Sequence, residues 1–331
     1  MDRRSMSLYA LSHFFVDFAC ALLVQGRLGG GLGLLLIYNF CAFALQMPLG
    51  LLADRLNRNR ETAAGGCLLL AAAYALPGIW GGVAAGVGNA LFHLGGGLDC
   101  LNHCRERCAP LGLFVAPGAL GVFLGGALRR WEAGAFWALP PLILALLTLA
   151  ILRLCRRTEN APLALRISVR QVLALLCLFA VVELRSWAGT AWAFPWKTGF
   201  ALGLAAAAAT AAGKALGGLA ADRFGTGPAA AGSLGLAAAL FLASALPLPG
   251  LLATGLFQMT MPLSLWAAGR LLPGAKGFVF GMLTFALFLG YLPGALGWQP
   301  PLAGPGLLAA QALASLPPLL WGLAEGRRQP C

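Results

Sequence analysis

Two ionisable residues stand four apart in an otherwise apolar stretch, Leu11-Ser12-His13-Phe14-Phe15-Val16-Asp17. Positions i and i+4 share one face of a helix, so this imidazole and carboxylate can couple. Histidine titrates near neutral pH and a carboxylate beside a cavity has a tunable pKa, so the pair is equipment for passing a proton. Other apolar stretches carry His93, Glu183, Arg185 and Lys214, with Asp99 nearer a helix end. Glu183 joins His13 and Asp17 as a candidate for proton coupling. Arg185 suits bidentate recognition of a carboxylate or phosphonate, and Lys214 acts as a point charge. His93, Asn39, Gln46, Gln258 and the indole of Trp187 complete the candidate binding set. Two structural readings stand beside these. Asp17 and Arg185 can form an ion pair that only joins two parts of the molecule, and Asp17 and Glu183 can neutralise both cations.

These side chains must be positioned by elements that live in lipid. Of 331 residues, 60% are hydrophobic and 10% charged, with mean hydropathy +0.81. A water-soluble surface needs about 25% charged residues. The apolar residues come in runs of bilayer length, and a chain in hydrocarbon satisfies its backbone only as helices or a closed barrel, whose alternating pattern is missing. Twelve spans are expected: 6–25, 31–53, 61–79, 81–103, 111–128, 134–153, 170–194, 199–221, 229–247, 250–271, 277–297 and 303–323. The first is read as a span and not a cleaved leader.

The net charge of +12 lies in short loops at helix ends. With both termini cytoplasmic, seventeen of the 23 Lys and Arg fall inside, Arg105 and Arg166 among them; four fall outside, and Arg185 and Lys214 within spans. That asymmetry sets orientation and favours anionic lipid, and it excludes a nucleic-acid surface, for which no basic patch interleaved with aromatics exists. Nine cysteines, Cys331 last, mostly sit in apolar runs and read as small hydrophobes. Cys100, Cys104 and Cys108 share a helical face, but their spacing is not a usual zinc pattern, and neither metal nor cofactor is expected. Trp192 and Trp196 read as an interfacial belt, Trp187 as deeper.

The chain also repeats. Gly50-Leu51-Leu52-Ala53-Asp54-Arg55 follows the second span, and Gly218-Leu219-Ala220-Ala221-Asp222-Arg223 follows the eighth, 168 residues on. The same offset carries Asp17 onto Arg185 and Gln46 onto Lys214, so polar positions of one half meet polar positions of the other. Parallel repeats place a pseudo-two-fold axis along the membrane normal. The longest polar break, around Arg156-Arg157-Thr158-Glu159-Asn160, falls mid-chain. It predicts a six-helix bundle over 1–153, a cytoplasmic linker over 154–169 and a second bundle over 170–331.

The loop Gly50…Asp54-Arg55, followed by Arg58 and Arg60, resembles the signature loop of the major facilitator superfamily. Asn57 stands where that loop has its second glycine, and the second copy loses its trailing basic pair. The resemblance covers the whole chain. It implies an all-α membrane protein with twelve transmembrane helices in two pseudo-symmetric bundles, the major facilitator fold. It also implies a latch in which Asp54 caps a neighbouring helix and pairs with a base, with Gly50, Arg55, Arg58, Asp222 and Arg223 in the gating loops. The glycines after Pro117 (Gly118, Gly121, Gly125 and Gly126) resemble that superfamily's antiporter signature. Ser12…Asp17, Gly88…His93 and Arg185-Ser186…Trp196-Lys197 are similar to exporters of the fosmidomycin-resistance type. The expected function is proton-coupled transport, export favoured, of a small anionic or zwitterionic solute by a monomer in the cell's inner membrane. The alternatives are a membrane-embedded enzyme using His13 and Asp17 or His93 and Asp99, and a receptor-like protein that does not transport. The chain carries no P-loop, H-E-x-x-H or G-x-S-x-G.

Overall fold

The computed structural model describes residues 3–104, 106–130, 134–164 and 167–329. Arg105, Arg166 and Cys331 lie outside the described residues. Fourteen α-helices and a few short turns make up the described chain, with no strand. They are α1 Arg3–Leu22, α2 Leu32–Asn39, α3 Gln46–Leu56, α4 Asn59–Ala73, α5 Gly78–His103, α6 Ala109–Ala127, α7 Leu139–Leu154, α8 Val169–Ala191, α9 Gly199–Phe224, α10 Thr226–Leu242, α11 Pro247–Gln258, α12 Thr260–Leu271, α13 Lys276–Ala295 and α14 Pro305–Arg328.

Several expected spans are continuous in path but broken in winding. A π-turn, Phe40–Ala44, joins α2 to α3, and another, Leu23–Arg27, ends α1. Such turns concentrate at functional sites, and the first lies between Asn39 and Gln46. Met259 separates α11 from α12, beside Gln258. Nine segments among the described residues are long and apolar enough to cross a bilayer. The expected third and ninth spans are the shorter α4 and α10, of 15 and 17 residues. The expected fourth, α5, has 26 residues but is rich in glycine and carries Asn89, His93 and Asp99.

Contacts divide the chain into two compact units. One holds residues 1–103, 117–163 and 274–281; the other holds 104–116, 164–273 and 282–331. The first unit's core contains Tyr9, Leu22, Leu70, Phe92, Leu98 and Leu144, all fully buried. On α7, Leu142, Leu146 and Leu149 are over half exposed on the face opposite Leu144 and Ile151. An apolar stripe turned outward from a packed interior is what lipid allows and water does not.

Close helix approach builds the interior of this unit. A methyl placed on Gly66 of α4 would overlap the backbone of Gly88 and Phe92 on α5, and one on Gly95 would overlap Asn59 and Ala63. On α6, Gly121 lies on the Phe14 carbonyl and Gly125 on the Phe18 carbonyl of α1. Small residues at these crossings let backbones touch, which supplies van der Waals packing where hydrophobicity cannot drive association. The result holds α1, α5 and α6 together around His13, Asp17 and His93. In the second unit, Trp196 is buried between the end of α8 and the start of α9. Its ring packs on Gly250, and its Nε1 donates to the Ser244 carbonyl at 3.0 Å. Gly250 leaves the room that brings it inside.

Candidate functional site

The centre of the first unit is a cluster of four polar side chains. His13 and Asp17 come from α1, and Asn89 and His93 from α5. Each pair is four residues apart, so both helices turn one face to the same point. His13 Nε2 lies 3.2 Å from Asp17 Oδ2, and His93 Nε2 lies 3.7 Å from Asp17 Oδ1. The two Nε2 atoms face each other at 2.9 Å. Asn89 Nδ2 donates to Asp17 Oδ1 at 3.1 Å. His13, Asn89 and His93 are buried.

Hydrogen bonding fixes one tautomer. His93 Nδ1 lies 2.9 Å from the Asn89 carbonyl, which only accepts, so Nδ1 carries a proton. When neutral, His93 therefore presents a lone pair at Nε2, and it accepts from the Nε2–H of His13. One proton is shared between the two imidazoles, with the Asp17 carboxylate beside it to balance a positive charge. Gly118 of α6 closes the site from a third side. A methyl there would overlap Asp17 Oδ2 and His13 Nε2, so backbone alone fits.

The remaining candidate binding residues fall in both units. Gln46 is fully buried in the first unit, its Nε2 donating to the Ala42 carbonyl at 2.6 Å while Oε1 meets no hydrogen-bond partner. Asn39 donates to the Leu35 carbonyl at 2.7 Å. In the second unit, Arg185 is buried on α8, and its Nη1 donates to Thr260 Oγ1 at 3.0 Å. Glu183 is half-buried two residues earlier on α8, its carbonyl against Gly290. Trp187 lies tilted against Trp298, with ring centroids 5.9 Å apart and a buried Nε1 that lacks a partner. Lys214 is half-buried on α9, and Gln258 half-buried at the end of α11.

The two loop aspartates make matching contacts. Asp54 accepts from the backbone N–H of Gly277 at 2.8 Å and of Phe278 at 2.9 Å, at the start of α13. Asp222 accepts from Cys108 N at 2.6 Å and Ala109 N at 3.2 Å, at the start of α6. Each carboxylate thus meets unsatisfied N–H groups and the positive end of a helix dipole. The aspartates are 168 residues apart, and the amides they cap are 169 apart. Gly50 and Gly277 cross backbone to backbone, which brings Asp54 within reach. Asn57 ends α3 in the left-handed region, φ 51°, a conformation asparagine tolerates. Arg55, Arg58 and Arg223 are exposed.

Sequence reasoning missed how the linker is fastened. Thr158 donates to Asp99 Oδ1, and the Tyr9 hydroxyl donates to Asp99 Oδ2 at 2.6 Å. Asn160 Oδ1 accepts from Asn59 Nδ2 and Asn102 Nδ2, both at 2.7 Å. Its backbone N–H donates to Asn57 Oδ1 at 2.7 Å, and Lys276 Nζ donates to Asn102 Oδ1 at 3.0 Å. The run of Asn and Thr in a polar break was the available signal. Asn160→Ala removes the side-chain clasp, and each such bond contributes about 1 kcal/mol. Cleavage between Arg153 and Arg170 in limited proteolysis should quicken about tenfold; an unchanged rate would show that the clasp does not hold the linker.

No protein-family model matches the chain, and no curated protein matches it in sequence. Solved structures do match its fold. An Escherichia coli fucose:proton symporter superposes with TM-score 0.67 at 14% identity, covering 97% of this chain and 98% of that one. A human organic anion transporter gives 0.65 at 14%, covering 97% and 99%. A bacterial homologue of the iron transporter ferroportin gives 0.63 at 14%, covering 98% of both. A fucose transporter of the major facilitator superfamily, in the outward conformation, gives 0.63 at 15%, covering 99% of this chain and all of that one. The chain is a multi-helix membrane protein with the major facilitator fold.

Proposed function

We propose that this chain is a secondary active transporter, and not an enzyme, that moves a small organic anion or zwitterion by alternating access in exchange for protons. The observation that carries the reading is the His13–Asp17–His93 cluster. Ionisable side chains deep in membrane helices are costly and mark ion paths. This one sets two imidazoles against a carboxylate. The transporters that share the fold support transport over catalysis, and Asp99, the alternative catalytic acid, is fastened between Tyr9 and Thr158. The twelve spans run as two halves, 1–153 and 170–331, in the inner membrane with both termini cytoplasmic, and the protein works as a monomer. Asp54 and Asp222 are the gate latches. The resemblance to exporters around Ser12–Asp17 and Gly88–His93 favours efflux.

Arg185 is the proposed anion contact. Guanidinium offers five donors, and its hydrogen bond to Thr260 uses one of them. Arg185→Ala should weaken binding of carboxylates or phosphonates at least tenfold, about the loss of one charge-assisted bond. Arg185→Lys should restore part of it. If a thermal-shift titration shows equal anion affinity in all three proteins, Arg185 only braces α8 against Thr260. The test of transport itself is reconstitution in liposomes with an imposed pH gradient and a panel of labelled organic anions and amphiphiles. Gradient-dependent flux is expected; its absence across the panel, with unaltered drug resistance of expressing cells, would sink the proposal.

A further inference from the structure

We propose that His13, His93 and Asp17 bind one divalent d-block cation, such as Zn²⁺ or Co²⁺, through two imidazole nitrogens and one carboxylate oxygen. No metal spacing joins these three in the linear chain, because His93 lies on a different helix, 76 residues beyond Asp17. Among the described residues these three form the one group of His, Cys, Asp or Glu whose ligand atoms converge, all within 4.8 Å of one another. The two Nε2 atoms lie 2.9 Å apart, and the carboxylate faces both, Oδ2 at 3.2 Å from His13 and Oδ1 at 3.7 Å from His93, so a small turn of the carboxylate brings one oxygen to a shared ion. Ligands at about 2.0–2.1 Å from a tetrahedral ion lie roughly 3.3 Å apart.

Three further features point the same way. First, His93 donates its Nδ1–H to the Asn89 carbonyl, which leaves its Nε2 lone pair for the ion, and His13 ligates through Nε2 once its ring proton moves from Nε2 to Nδ1. Metal-binding histidines are oriented in this manner, the second ring nitrogen held by a carbonyl or carboxylate. Second, Asn89 Nδ2 holds Asp17 Oδ1, and the Asn89 Oδ1 atom is buried with no partner, a further oxygen beside the cluster. Third, a glycine closes the cradle, since any side chain at Gly118 would occupy the ligand atoms' own space. Two nitrogens with one oxygen select borderline first-row ions over Mg²⁺ and Ca²⁺, which want oxygen shells. Three protein ligands leave coordination positions open, as in exchangeable sites.

This inference shares its residues with the proposed proton path but is tested without transport, so the two stand or fall apart. The full chain is purified in detergent with its thiols alkylated, since nine cysteines would otherwise take up metal. After incubation with Co²⁺ and desalting, metal is counted and the visible d–d spectrum recorded. About one Co²⁺ per chain is expected, with bands of an N/O-ligated ion, displaced by Zn²⁺ and not by Mg²⁺. His93→Ala and Gly118→Ala should each cut retention at least tenfold, while His103→Ala, which alters the remaining histidine, should not. Helix content and elution volume report folding, and His93→Gln replaces His93→Ala should the latter misfold. Loss of retention in every folded His93 variant supports the site. Less than stoichiometric Co²⁺ in the unmutated chain, equal retention in a folded His93 variant, or equal displacement by Mg²⁺ overturns it.

Discussion

Asp17→Asn is expected to reduce pH-gradient-driven flux to the level of protein-free liposomes, while exchange of labelled for unlabelled solute stays within tenfold of the unmutated rate. Asparagine keeps the shape of the carboxylate and an oxygen for the Asn89 amide, so the packing of α1 against α5 and α6 survives. What disappears is the negative charge beside His13 and His93. Without it, a positive charge gained by the imidazoles has no partner in a largely buried site, and such uncompensated charge costs several kcal/mol. The imidazoles then hold at most their neutral form, and the cycle no longer loads or unloads a proton. Solute exchange needs the gates to move but no net proton release, so it separates a coupling defect from a folding defect. His13→Gln should give a smaller loss, because His93 still faces Asp17 across 3.7 Å. Gradient-driven flux of Asp17→Asn within twofold of the unmutated protein would remove Asp17 from the proton path.

The membrane fold could be read from the chain because bilayer thickness imposes a length and lipid imposes apolarity, two quantities that a linear sequence displays directly. The pairing of His13 with Asp17 was legible for the same reason, since helix periodicity is local. The arrival of His93 was not. Its place beside them depends on how α5 lies against α1 and α4, which Gly66, Gly88 and Gly95 decide through backbone contact. The sequence showed these glycines among 45, with no mark that distinguished them. The linker was read as a polar break, correct in composition and silent on Asn160, whose partners Asn57, Asn59 and Asn102 come from two other places in the chain. The halving offset made the repeat of Asp54 at Asp222 legible, while the capping itself was expected only from the resemblance of the loop. Repeated loops cap repeated helix starts, and repetition is visible before any contact is.

Asp54→Ala should speed amide hydrogen exchange at Gly277 and Phe278 about 30-fold. The carboxylate is buried and accepts from both amides, so it acts as a cap and as a counter-charge to the helix dipole. A partly buried anion so placed is worth up to about 2 kcal/mol, and about 1.4 kcal/mol is a factor of ten in the opening equilibrium. Asp54→Asn should fall between, because a neutral oxygen still accepts one bond while the charge is gone. The matched change, Asp222→Ala, should speed Cys108 and Ala109 by a smaller factor, since that carboxylate is exposed and water competes for the same amides. The comparison discriminates between a latch and a mere topology anchor. Topology anchors act through net charge, so Arg55→Gln and Arg58→Gln should leave these four amides alone. Equal protection in Asp54→Ala and the unmutated protein would mean that α13 is held by the Gly50–Gly277 crossing and not by its cap. The sensitive change would then be Gly50→Ala, whose added methyl overlaps the Gly277 carbonyl.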